Sequence, residues 1–193
     1  MTDYDSSGIA TLASDDPSPL DLARLPEPQV EHDRKWYVIQ TKSRQEKALV
    51  EHMGAKGIAT FLPLVPKIRT YGKRQQQSDL PLFQGYVFLF GQRADVYDAD
   101  RTRHVARFIE VTDQQRLYQE LSAVNQIVTA GGKLDPYPMF KAGVHVVVRA
   151  GAFKGVHGIV EDRQKMNRLI LQIEILGQAS SLEIDGSLLE VTD

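Results

Sequence analysis

Gly151-Ala152-Phe153-Lys154-Gly155-Val156-His157-Gly158 sets three glycines within eight residues, between the apolar run at 144–148 and Ile159-Val160. The pattern reads as strand, tight turn, strand. Glycine reaches positive φ without a Cβ penalty and lets a second backbone come close, so the stretch predicts a small curved sheet with Phe153 and Lys154 displayed beside its turn. Residues 139–193 have room for about five short strands of this kind. Within them, Leu169, Leu171, Ile173 and Ile175 alternate as a strand does, while Met166, Leu169, Ile170, Ile173 and Leu176 fit a helical stripe. The surrounding glycine turns decide for the strand.

Upstream, Asp135-Pro136-Tyr137-Pro138 is expected to resist both helix and sheet, and it marks residues 129–138 as a linker. Before it the pattern is mixed. Trp36-Tyr37-Val38-Ile39 is a β-rich run, and Ser43 with Glu46 has the spacing of a capping box ahead of Ala48, Leu49, His52 and Met53. Gly57 is placed to end that helix. Residues 58–71 are rich in β-formers, but Pro63 and Pro66 confine them to an edge or a break. Lys67, Arg69, Lys73 and Arg74 surround Gly72 as a basic hairpin, and Pro81-Leu82-Phe83-Gln84-Gly85 leads into Tyr86-Val87-Phe88-Leu89-Phe90. A short helix over 94–102, a strand over 105–111 and a helix capped by Thr112 or Asp113 complete the segment. That last helix carries Leu117, Leu121, Val124 and Val128 and should stop at Gly131-Gly132.

The net charge of −2 conceals a division, since residues 1–34 hold eight acids and two bases. Residues 35–121 reverse that balance with fourteen bases and nine acids. The first 34 residues, with Pro17, Pro19, Pro26 and Pro28, bury too little to offset ordering and are expected to be disordered. The absence of cysteine excludes disulfides and thiolate metal sites, and points to a cytoplasmic protein. No signal or membrane-spanning segment is expected. The five histidines lack metal-ligand spacing, and neither a nucleophile elbow nor a phosphate loop is present, so the chain reads as a non-enzyme without metal or cofactor.

Two surfaces stand out. The aromatic run is apolar on both faces, which fits either a covered central strand or a partly exposed groove in which Tyr86 and Phe88, with Tyr37 and Phe83, anchor a partner helix. The basic residues Lys42, Arg44, Lys67–Arg74, Arg101, Arg103, His104 and Arg107 fit a phosphate-binding patch if their segments converge, and solvated surface if they do not.

Three stretches together resemble the NusG and RfaH group of bacterial transcription elongation and antitermination factors: Trp36-Tyr37-Val38 with the helix after it, Pro81 to Phe88, and the glycine motif, which is similar to a KOW motif. They span residues 35–193 in the family's order. The resemblance implies an α+β chain: an acidic tail (1–34), an NGN-type αβ sandwich on a four-stranded, mainly antiparallel sheet (35–128), a linker (129–138) and a five-stranded KOW β-barrel (139–193). It implies docking on the RNA polymerase clamp helices through Tyr37, Phe83, Tyr86 and Phe88. Toward the second large subunit and non-template DNA it places Lys42, Arg44, Lys73, Arg74, Arg101 and Arg103. Through Phe153, Lys154 and Ile159 the KOW domain would recruit a small-subunit ribosomal protein or a termination factor, and the protein would act as a monomer. Ala152 in place of the usual proline, and Arg103-His104-Val105-Ala106-Arg107-Phe108 in place of the housekeeping stretch, imply a specialised paralogue. The competing reading is a ribosome- or RNA-binding KOW protein whose aromatic run is core. Exposure of Tyr86 and Phe88 separates the two.

Overall fold

Strand β1 (Lys35–Thr41) alternates side chains across a central position, and its neighbours follow from its register. In a computed structural model of the chain, residues 25–28, 33–71, 74–138, 143–164 and 166–192 are described, without the side chains of 68–71 and 74–76. β1 pairs antiparallel with β5 (Tyr86–Gly91) on one side and β6 (Val105–Ile109) on the other. β2 (Ala59–Phe61) adds to β5, giving the four-stranded order β2-β5-β1-β6. Every pairing in this sheet is antiparallel.

One face of this sheet holds Ile39, Val87 and Leu89, packed with Leu49 and Met53 of helix α1 (Glu46–Gly54) and Ala99 of helix α2 (Arg93–Asp100). The register sets the other face: Trp36 opposite Phe90, Val38 opposite Phe88, Gln40 opposite Tyr86, and Phe61 opposite Phe88. Its rings touch one another, Trp36 and Phe90 at 5.2 Å between centroids, Phe61 and Phe83 each at 6.2 Å from Phe88.

α1 begins differently from its sequence signature. Gln45 is its N-cap and makes no side-chain capping bond, so the expected Ser43/Glu46 capping box is absent. The Glu46 carboxylate is drawn away to the backbone N–H of Gly85 at 2.7 Å. A capping box occurs instead on α2, where Asp95 accepts from the Gln92 N–H at 2.7 Å. Gly57 closes α1 as expected: at φ 73° it sends its N–H to Gly54, and Ile58 bonds back to Met53, which is a Schellman arrangement. Beyond it, β3 (Leu64–Tyr71) and β4 (Arg74–Pro81) form a separate two-stranded hairpin in which Tyr71 pairs with Arg74. Gly72 and Lys73 at its tip lie outside the described residues, as do the side chains of Arg69 and Arg74.

The described residues separate into two compact units, 26–114 and 115–192, with Leu25 joining the second. The second contains helix α3 (Gln114–Thr129) from Gln115 onward and a six-stranded antiparallel sheet. Its strands are β7 (Asp135–Tyr137), β8 (Val144–Val148), β9 (His157–Val160), β10 (Arg168–Ile173), β11 (Gln178–Glu183) and β12 (Leu189–Val191), in the order β12-β8-β9-β10-β11-β7. The sequence reading placed α3 with the first sheet and a linker over 129–138, whereas contacts divide the chain between Gln114 and Gln115. It also expected Asp135-Pro136-Tyr137 outside any sheet. These residues pair with β11, and the outermost position in the sheet explains why: an edge strand tolerates a proline that has no N–H to donate. Residues 168–173 are strand, not helix, with Val146, Val148, Val160, Leu169, Leu171, Ile173, Leu182 and Leu189 buried on one face. No helix among the described residues is long and apolar enough to cross a membrane.

Candidate docking and nucleic-acid surfaces

The four-stranded sheet gathers three segments at one end, because β5 and β6 both start where β1 finishes. The turn before β5 is closed by the Tyr86 N–H on the Phe83 carbonyl at 3.2 Å, with Gly85 at φ 83° in its third position. Positive φ there is the type II arrangement, which flips the 84–85 peptide and aims the Gly85 N–H out of the turn. Glu46 captures that N–H, while the Gly85 carbonyl accepts from Thr41 at 2.8 Å. The turn is therefore fastened to the end of β1 and the start of α1.

Next to it, the loop at 42–45 joins the loop at 101–104. The Lys42 N–H donates to the His104 carbonyl at 2.8 Å, and His104 Nδ1 lies 2.8 Å from Gln45 Oε1. Lys42, Arg44 and Arg103 are exposed on these loops and make no salt bridge among the described residues. Arg44 and Arg103 both sit in the left-handed region, at φ 60° and 64°, where a non-glycine residue costs about 1 kcal/mol or more. Arg101 is exposed but shares Asp98 with Lys56, at 3.8 and 3.3 Å. Arg107, a member of the basic cluster read from the sequence, has its Nε donating to Gln40 Oε1 at 2.6 Å, on the sheet face that also carries Tyr86.

The predicted aromatic anchors separate. Tyr86 is half-buried at the sheet end, whereas Phe83 and Phe88 are buried, Phe88 at 0 % exposure. They form the floor under the turn. Tyr37 is opposite Leu89 in the register and so occupies the other face, where it packs beside the α1/α2 core and burial raises its hydroxyl pKa above the ordinary value. The structure thus does not bring Tyr37 to Tyr86 and Phe88. Face parity depends on strand pairing, and the expectation of one shared groove had no access to it.

In the second unit the glycine motif behaves as its pattern predicted. Gly151 and Gly155 are at φ 84° and 87°, and the Gly155 N–H bonds the Val148 carbonyl at 2.8 Å. Gly158 serves packing, since a Cβ there would sit 2.7 Å from the Ile170 carbonyl oxygen. Lys154 is exposed and Phe153 half-buried, its ring against Gly132. Ile159 is buried with Ile170 and Ala179, with Tyr137 packed against them. α3 borders a cleft of about 580 Å³ with the sheet, lined in part by Arg116, Glu120, His145 and His157. Burial raises the Glu120 carboxyl above the usual glutamate range, although the Glu174 N–H and Arg116 pull it down. Among the described residues no group of three or more His, Cys, Asp or Glu could hold a metal ion.

A family model described as "Transcription termination factor nusG" matches residues 34–147, more than half of the chain. The chain is 26 % identical over 172 residues to "Transcription termination/antitermination protein NusG" of Buchnera aphidicola subsp. Baizongia pistaciae, covering 81 % of this chain and 95 % of that protein. It is also 26 % identical over 178 residues to the protein of the same name from Escherichia coli K12, covering 81 % and 96 % respectively.

Proposed function

The chain belongs to the NusG family, and from that premise we propose that it is a transcription termination/antitermination factor that works by binding RNA polymerase. The observation that carries this reading is the convergence of turn 83–86 with loops 42–45 and 101–104 at one end of the sheet. Tyr86 is half-buried at the sheet end, on the same face as the buried Phe88, which Phe83 meets edge-on, as an anchor at an interface needs. The polymerase clamp helices are the surface it fits in the family reading. Lys42, Arg44 and Arg103 beside it, which make no salt bridge among the described residues, supply positive charge for the non-template strand, with Arg101, Lys73 and Arg74 toward the second large subunit.

A protein bridging both sides of the polymerase cleft acts by population shift. Whichever polymerase state it binds better becomes more populated, so pausing or termination changes without a chemical step or cofactor. The second unit, read as the KOW barrel, presents Lys154 and Phe153 to a further factor such as a small-subunit ribosomal protein or a termination factor, while Ile159, buried with Ile170 and Ala179, does not offer the contact expected of it. Ala152 and the 103–108 stretch favour a specialised paralogue.

The test is transcription by purified RNA polymerase on a template with defined pauses and a terminator. Added protein should change pause lifetimes or read-through at least about twofold, an effect of about 0.4 kcal/mol on the competing states. Unchanged transcription at saturating protein overturns the assignment.

A further inference from the structure

We propose that Glu46 is a positioning residue that couples the docking turn to the cationic loops, a role that rests on the polymerase-docking reading above. The residue is only 7 % exposed and stands in the first turn of α1, where the helix dipole favours an anion. That carboxylate is not spent on its own helix. It accepts the outward-pointing Gly85 N–H at 2.7 Å, a charge-assisted bond to a donor that the turn itself cannot satisfy.

The sequence neighbours of each partner give this bond its reach. Tyr86 follows Gly85 directly, so the orientation of the captured peptide sets where its ring enters β5. Gln45 precedes Glu46, and its side chain meets His104 at 2.8 Å, next to Arg103. Lys42 and Arg44 lie on the same short loop, tied to His104 by the Lys42 N–H. One carboxylate thus stands between the aromatic anchor and the charges on both loops. Without it, the Gly85 N–H loses its partner in a part-buried place, and the 84–85 peptide is free to turn over to satisfy it. The turn would then keep its Thr41 bond while Tyr86 loses its defined position.

The test is titration of the full chain against purified RNA polymerase, using wild type and Glu46→Ala, Glu46→Asp, Glu46→Gln, Tyr86→Ala and Glu46→Ala/Tyr86→Ala variants. Glu46→Ala should bind about tenfold more weakly, because a charged hydrogen bond of this kind is lost from the anchor's support. Glu46→Asp should lose a similar factor, its carboxylate being one methylene short, and Glu46→Gln should stay within about threefold because the amide oxygen still accepts. The double variant should lose less than the product of the two single losses. Glu46→Ala binding like wild type, or strictly multiplicative losses, overturns the proposal. If Glu46→Ala does not fold, Asp and Gln decide it: weaker binding by Asp alone supports it, and equal binding by both overturns it. Failure of wild type itself to bind overturns the docking reading and this proposal with it; binding by wild type that is indifferent to Glu46 overturns this proposal alone.

Discussion

The two glycine turns at 83–86 and 151–156 have the same backbone device and differ in how much they lean on distant chain. Gly85, Gly151 and Gly155 all sit near φ 85° with open space where a Cβ would stand. The later turn is closed mostly by its own backbone: the Gly155 N–H and Val156 carbonyl bond the two sides of Val148, and Lys154 bonds Gly151, with Gln126 Nε2 of α3 adding one bond to the Lys154 carbonyl at 3.0 Å. The earlier one depends on distant chain, Glu46 taking its N–H and Thr41 its carbonyl, over a floor of Phe83 and Phe88. A turn closed mostly by its own backbone depends less on the rest of the chain. A borrowed one reports on every element that holds it.

Removing the floor should have the largest effect. Phe88→Ala empties a fully buried aromatic site and should cost about 4 kcal/mol, read as a lowered urea midpoint. It is thus unsuited as a docking probe, since lost binding would follow lost fold. Gly158→Val should come next, at about 3 kcal/mol in the same measurement, because its Cβ meets the Ile170 carbonyl of the neighbouring strand. A neutral result would mean β9 and β10 are not held as closely as 2.7 Å implies.

Gly85→Ala and Gly155→Ala sharpen the comparison itself. Each should cost about 1 kcal/mol of thermal stability, from positive φ alone. Only Gly85→Ala should also weaken polymerase binding; equal losses from both would erase the distinction between the turns. The smallest effect concerns pH. Glu120 has its carboxyl raised, chiefly by burial, so the native state takes up a proton before the unfolded chain does. Stability of the wild type should therefore rise as pH falls from the raised value toward the ordinary glutamate value, by less than about 1 kcal/mol. Glu120→Gln should flatten that slope in denaturant titrations across pH 4 to about 7.

Much of the fold was legible in the sequence where the cause is local. Gly57 and Gly151 reveal their turns, and the period-two run at 169–173 reveals its strand, because φ and face alternation are written in adjacent residues. Long-range partners were not legible. Ser43 and Glu46 carry the spacing of a capping box, and nothing nearby in the chain discloses that Gly85 outcompetes the helix for that carboxylate. Tyr37 looked like a companion of Tyr86 until the β1/β5 register put it on the opposite face. The aromatic run likewise divides by depth, Tyr86 half-buried and Phe88 covered, which no pattern of ring and aliphatic residues separates. Pro136 seemed to forbid a strand, yet only pairing decides whether a strand is an edge. The basic residues were visible as clusters, and their convergence came from backbone bonds between loops about sixty positions apart.

The central claim is that Tyr86, at the sheet end beside this turn, is the polymerase anchor. The most direct measurement is binding of purified RNA polymerase by full-length wild type and Tyr86→Ala, with thermal unfolding run in parallel. Wild type should retain polymerase, and the variant should bind at least about tenfold more weakly while its unfolding midpoint stays close to wild type. A folded Tyr86→Ala that binds undiminished, or a wild type that retains no polymerase, would contradict it.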